Sequence, residues 1–355
     1  MYCKWIFQWE YQDLDAGSGT SNTNLRQNNK NSSVSALCFS HNKNYIACAY
    51  GDKGQLIIWD LNSRSIDFTL NGHNSTIYTI AASEDFSLIA TGSNDKKVIV
   101  WDINQRRKRC ALEGHSEAVF SLKITRDLKT LISGSADETI IIWSIEQRNQ
   151  IYYKKEDVFY VYSIYLSPNE ENFVSGSADK TIKYLNLKER KIVFTLHGHN
   201  DQVTSVAITA DGKNIISGSS DKSIQVWCIE SRALLFKFIG HDEAIRDICV
   251  SRDGKFIVSC SNDGSLKFWN ISQRITKFRL GGHNLNVKVV RVSDNGQYVC
   301  AFAEDKCLKI WETIERREFF SGFEYIIHVK KEAVSYDGYT SVKADGNSII
   351  VRIVE

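Results

Sequence analysis

No charge of one sign dominates this sequence: 44 Lys and Arg stand against 42 Asp and Glu, a formal net charge of +2 over 355 residues. So balanced a chain lacks the long-range field that draws proteins to nucleic acid or anionic lipid, and charge names no partner. Cys-x-x-Cys pairs are missing too. The nine cysteines (Cys3, Cys38, Cys48, Cys110, Cys228, Cys249, Cys260, Cys300 and Cys307) are odd in number and scattered. Neither a disulfide framework nor a zinc site is signalled, and the thiols read as reduced, mostly buried small hydrophobes. No run approaches the roughly 18 apolar residues of a membrane span. The N-terminal MYCKWIFQWEYQ lacks the apolar stretch and small-residue cleavage site of a signal peptide. A soluble, cytoplasmic protein is the expectation, with nucleus and cilium left open. There is also no unpaired carboxylate couple, metal-ligand cluster or phosphate-cradling glycine loop, so no catalytic residue, metal or cofactor is assigned.

What is present is a period. Tryptophans stand at Trp59, Trp101, Trp143, Trp227, Trp269 and Trp311, separated by 42, 42, 84, 42 and 42 residues, with Leu185 in the gap. The same step links Gly-His pairs at His73, His115, His199, His241 and His283, and aspartates at Asp95, Asp137, Asp179, Asp221, Asp263 and Asp305. Within a unit such as GHNDQVTSVAITADGKNIISGSSDKSIQVWCIESRALLFKFI, the runs VTSVAI, NIISGS, SIQVW and ALLFKFI are separated by turn residues. Each is too short for a helix and β-branched enough for a strand, so each unit reads as four strands. A lone four-stranded sheet with two apolar faces cannot hide them; units must stack, and a ring of blades covers both faces of each.

The pattern GH…SGSxD…IxxW, with Trp59-Asp60 and Trp101-Asp102 supplying the dipeptide itself, resembles the WD-repeat β-propeller family over about residues 31 to 312. The resemblance implies an all-β closed propeller, a single domain over residues 1–355, with blades in 34–355. After Trp311 the chain keeps strand-like alternation but loses Gly-His and tryptophan, which reads as a degenerate eighth unit of three strands. Residues 1–12, where Trp5, Phe7 and Trp9 alternate, would be the closing strand that completes the last blade and removes an exposed edge. Seven blades, with the C-terminal segment packed outside, is the alternative. Residues 13–33, almost free of apolar groups, are expected to form a flexible polar loop.

Four units carry a complete polar set: His73, Thr91, Asp95 and Trp101; His115, Ser133, Asp137 and Trp143; His199, Ser217, Asp221 and Trp227; His241, Ser259, Asp263 and Trp269. A Ser, a His and an Asp invite a catalytic reading, yet a nucleophilic site does not recur four times at one spacing. By resemblance these are the family's structural Asp–His–Ser/Thr–Trp tetrads, in which each buried polar group finds a partner. Asp157 replaces the histidine of unit four, Leu185 its tryptophan and Ala301 the hydroxyl of unit seven, and unit one lacks Gly-His.

The family also places on the upper face, beside the central channel, the loop joining an outer strand to the next inner strand. The position after the first apolar residue of that inner strand holds Ser35, Tyr78, Phe120, Tyr162, Thr204, Arg246, Lys288 and His328; the position before it includes Tyr160. Tyr78, Phe120, Tyr160 and Tyr162 fall on units two to four and Arg246 and Lys288 on units six and seven, and aromatics and arginine are what binding hot spots favour. Basic runs at 106–109 and 188–191 lie on outermost strands, where charge blocks edge-to-edge pairing. The functional expectation is a non-catalytic scaffold or adaptor in a multiprotein complex, a monomeric ring that lays a partner's apolar segment across units two to four with an acidic group at Arg246 and Lys288. Two alternatives stand beside it: nucleic-acid or phosphoinositide binding by basic upper-face residues, and an enzyme using the central channel.

Overall fold

A computed structural model of the protein describes residues 34–39, 45–50, 54–60, 65–155, 159–251, 253–280, 283, 285–292, 298–303, 307–312, 317–323, 340–345 and 348–353. The expected closing strand at 1–12 and loop at 13–33 lie outside the described residues, as do Asp157, Asp305 and His328. The described chain is all β, with no helix. Seven four-stranded antiparallel sheets follow one another, each in sequential strand order, at 34–71, 77–112, 119–155, 161–197, 203–239, 245–280 and 287–323. We number them as blades one to seven. A two-stranded sheet follows, pairing Thr340–Asp345 with Ser348–Ile353. Blade five shows how directly pattern becomes strand: its elements are Val203–Ile208, Asn214–Ser219, Ser223–Cys228 and Leu234–Ile239.

The core lies between blades. Leu56, Ile58 and Leu70 of blade one bury with Ile77, Ile89 and Trp101 of blade two, and the same kind of cluster joins every successive pair to blade seven. A buried Leu, Ile or Val is worth about 1.5–3 kcal/mol, and here it is earned only when a neighbouring sheet covers it. The first strand of each blade packs beside the first strand of the next. Hydrogen bonds stitch these inner strands together. Ser121 Oγ accepts the Ile164 N–H at 3.1 Å, Ser163 Oγ that of Val206 at 3.3 Å, and Asp247 Oδ2 that of Val290 at 3.4 Å. The close approach explains the glycine of the recurrent Ser-Gly-Ser: a Cβ on Gly134 would sit 2.7 Å from Val161 Cγ1 of blade four.

A second period appears at the hairpins before the outermost strands. Arg106, Arg148, Arg190, Arg232 and Arg274 all adopt a left-handed backbone, with φ of 51° to 58°. Such a conformation costs a non-glycine residue stability, on the order of 1 kcal/mol. The side chains reach back to the preceding blade: Arg106 lies 4.8 Å from the Phe68 ring centre and 2.7 Å from Asp67, Arg232 is 5.3 Å from Phe194, and Arg274 is 5.0 Å from Phe236. These cation–π contacts clamp one blade's rim to the next and offset the strain.

Candidate functional site

One backbone irregularity recurs at the start of every blade and organises the candidate site. The pairing of first and second strands skips a residue: Ile77 and Thr79 pair across to Ser93 and Gly92, leaving Tyr78 between them. The skipped residues of the other blades are Ser35, Phe120, Tyr162, Thr204, Arg246 and Lys288. A β-bulge re-aims the side chain of its extra residue away from the sheet's alternation.

The geometry brings the four aromatic candidates together. Tyr78 and Phe120 have ring centres 5.5 Å apart, Phe120 and Tyr162 are 6.0 Å apart at 24°, Phe120 and Tyr160 6.4 Å apart at 74°, and Tyr160 and Tyr162 6.1 Å apart at 82°. Tyr160 meets both of its neighbours edge to face, a geometry the ring quadrupole favours, while Tyr78 and Phe120 are tilted at 56° and Phe120 and Tyr162 stacked. The rings form one unbroken series over blades two, three and four. Tyr160 is 46% exposed and its neighbour Phe159 53%. Burial pushes the Tyr162 hydroxyl up, Tyr160 and Asp201 add to that, and the Arg246 guanidinium opposes it. Arg246, itself exposed, donates from Nε to Asn262 Oδ1 at 2.7 Å. Lys288 occupies the bulge of blade seven, and its side chain lies outside the described residues. Thr204 spends its hydroxyl on the Ile245 carbonyl of blade six, a contact within the scaffold.

The tetrads lie inside the blades. In blade three His115 Nδ1 is 2.8 Å from Asp137 Oδ2 and Nε2 is 2.6 Å from Ser133 Oγ, which accepts the Trp143 indole N–H at 2.7 Å. Blades two, five and six repeat the arrangement through Thr91, Ser217 and Ser259. Proton directions close consistently: indole to hydroxyl, hydroxyl to Nε2, Nδ1–H to carboxylate. The four histidine side chains have no exposed surface. Burial would raise the Asp137 carboxyl, but hydrogen bonds and charge from His115, with help from Thr139 and the Ser116 N–H, hold it down at about 2. Asp95 is held at about 2 in the same way, and Asp221 and Asp263 are lowered likewise. Such a carboxylate is a poor general base near neutral pH, and the hydroxyl it would activate faces an indole. Each tetrad also explains its Gly-His pair: a Cβ on Gly114 would come within 2.9 Å of the Trp143 ring. Among the described residues no group of three or more His, Cys, Asp or Glu could hold a metal ion, and no helix is long and apolar enough to cross a membrane.

Comparison with known proteins adds one decisive finding. The family model described as "WD domain, G-beta repeat" matches residues 19–60, 65–102, 106–144, 153–185, 190–228, 232–270 and 274–312, well over half the chain. The chain belongs to the WD-repeat family. A search of curated proteins finds no match to it.

Within that WD-repeat frame, blade four departs from the tetrad pattern in its interior. Leu185 is buried where its siblings bury tryptophan. Ser175, the tetrad hydroxyl position, has a buried Oγ with no hydrogen-bond partner among the described residues. Asp179 accepts from the Thr181 N–H at 2.8 Å and takes the ammonium of Lys183, also 2.8 Å away and only 7% exposed. Burial pulls the Lys183 ammonium down to about 8. The sequence reading passed over Lys183, because a lysine in a strand ordinarily reads as a solvated face. Its signal was the coincidence, in one repeat, of a missing tryptophan and a lysine two positions before the replacement.

Proposed function

We propose that this WD-repeat chain is a non-catalytic scaffold that binds a peptide or protein loop over the aromatic series of blades two to four. WD-repeat domains generally mediate protein–protein contact, and the typical member is non-catalytic. The observation that carries the finer reading is the unbroken run of Tyr78, Phe120, Tyr162 and Tyr160, which includes a half-exposed ring. Rings held by bulges lose little side-chain freedom on binding, so apolar area there converts efficiently into affinity. Arg246 offers guanidinium protons beyond the one spent on Asn262, and with Lys288 supplies cations for a partner's carboxylate. The reading includes a monomeric, intracellular ring of eight blades, closed by residues 1–12.

The test is affinity purification with mass spectrometry, comparing the wild-type chain with the Tyr78→Ala, Phe120→Ala, Tyr162→Ala triple variant. Proteins lost only from the variant are the expected direct partners. A folded variant that retains every partner overturns the site; circular dichroism and the thermal melt establish that it is folded. Binding that collapses between low and moderate salt would favour nucleic acid or phosphoinositide over peptide.

A further inference from the structure

The outermost strands of the blades are not equally defended. Arg107–Leu112 opens with Arg107, Lys108 and Arg109; Asn149–Lys155 ends in Lys154 and Lys155; Ile275–Leu280 carries Lys277 and Arg279. Charges of this kind keep an exposed edge from recruiting another strand. The outer strands of blades one and four carry one charge each, Asp67 and Lys191; blade five also carries one, but it alone exposes three large hydrophobics among the described residues. Its outer strand Leu234–Ile239 reads Leu-Leu-Phe-Lys-Phe-Ile, with Lys237 its only charge. Leu234, Leu235 and Ile239 are 43%, 44% and 75% exposed, three of the ten large hydrophobics exposed among the described residues. The strand pairs with Ser223–Cys228 on one side and ends its sheet on the other.

Alternation sorts its side chains. Phe236 and Phe238 turn into the cluster shared with blade six, so Leu235, Lys237 and Ile239 share the opposite face. Lys237 is exposed and makes no ion pair among the described residues. An apolar, basic, apolar row beside an open backbone edge is the template for one kind of ligand.

We propose that the outer edge of blade five is a second protein-binding surface, which takes an extended segment of a partner protein as a fifth strand, with apolar residues flanking a carboxylate at alternate positions. Backbone hydrogen bonds along the edge supply affinity, and the row of side chains supplies selectivity. Facing residues on adjacent strands lie close enough for opposite charges to stabilise and like charges to repel. The partner's carboxylate therefore belongs opposite Lys237 and its apolar residues opposite Leu235 and Ile239. The same rule argues against a second copy of this chain. Antiparallel self-pairing that sets Leu235 against Ile239 also sets Lys237 against Lys237. The surface is separate from the aromatic series and does not depend on it.

The test uses the full chain and two fluorescein-labelled probes, Thr-Val-Thr-Glu-Thr-Val-Thr and its counterpart with lysine at the centre, read by anisotropy. The glutamate probe is expected to bind about fivefold more tightly or better. The surface variant Lys237→Glu should invert that preference, Leu235→Ser with Ile239→Ser should weaken both probes, and a glutamate probe N-methylated at alternate amides should not bind. The aromatic triple variant should bind the probes as wild type does, which separates failure here from failure of that site. Equal binding of the two probes, unchanged preference in Lys237→Glu, undiminished binding of the N-methylated probe, or no binding at millimolar concentration overturns the proposal. So does a wild-type dimer in sedimentation that Ile239→Asp dissolves, which would assign the edge to a second copy.

Discussion

Blades three and four are neighbours that share one buried cluster, yet they secure their turns by different chemistry. In both, the residue after the aspartate is left-handed, Glu138 at 73° and Lys180 at 71°, and the aspartate accepts the amide two residues on, that of Thr139 or Thr181. That local cap is what the turn needs, and both blades have it. The tetrad is a second layer: in blade three Asp137 also accepts the Ser116 N–H and so ties the turn to the loop entering the blade. In blade four the other carboxylate oxygen is taken by Lys183, and the loop entering that blade carries Phe159 and Tyr160, both exposed. The tetrad is thus a tether rather than a condition for forming the turn, and blade four, which lacks it, carries with its entering loop three of the four exposed large aromatics among the described residues, Phe159, Tyr160 and Tyr165.

The harshest way to break the comparison is Trp143→Leu, which gives blade three the residue of blade four. Losing the ring and leaving Ser133 without its indole donor should cost about 3 kcal/mol in chemical unfolding. Asp137→Ala leaves the Ser116 and Thr139 amides without their acceptor and a buried imidazole with only the Thr139 hydroxyl, and should cost about 2 kcal/mol, while partners copurify as before. Lost binding with unchanged stability would instead make that aspartate functional.

Acid sharpens the contrast. Asp137 is held at about 2 when folded, against about 3.9 for a free aspartate, so its contribution is complete above about pH 4 and lost as pH falls through 2. The stability gap between wild type and Asp137→Ala should therefore shrink over that window. The mildest comparison is a pair of deletions. Ser133→Ala should cost about 1.5 kcal/mol, whereas Ser175→Ala, whose hydroxyl is buried without a partner among the described residues, should cost less than about 0.5 kcal/mol and serves as the internal control.

Strands and blades were legible because a 42-residue step repeats the same turn residues and apolar alternation, and the four runs read from blade five fall on its four strands. The bulges were not legible. A skipped residue leaves no mark in composition, only in which backbone groups pair, so the sequence named Tyr78 and Phe120 without showing why they leave the sheet's alternation. Whether rings on three different repeats touch is likewise a matter of how adjacent sheets sit. The arginines at 106, 148, 190, 232 and 274 share the period, yet those at 106 and 190 read as edge charges on outermost strands; the structure sets them instead in the hairpins before those strands, with left-handed backbone, and puts a ring under Arg106, Arg232 and Arg274.

The amino-acid sequence by itself determined the all-β class, the length of the repeat and which positions could carry polar groups inward, because alternation and turn chemistry act over a few neighbouring residues. Only tertiary structure decided which aromatics meet, that Lys183 takes the carboxylate a histidine holds in the sibling blades, and that Leu234, Leu235 and Ile239 stay exposed on the outer strand of blade five. The ring contacts between blades join residues one full repeat apart, the Lys183 pair forms over only four residues but in a blade interior without the sibling histidine and tryptophan, and exposure depends on what covers a sheet edge; none of these is written in local order.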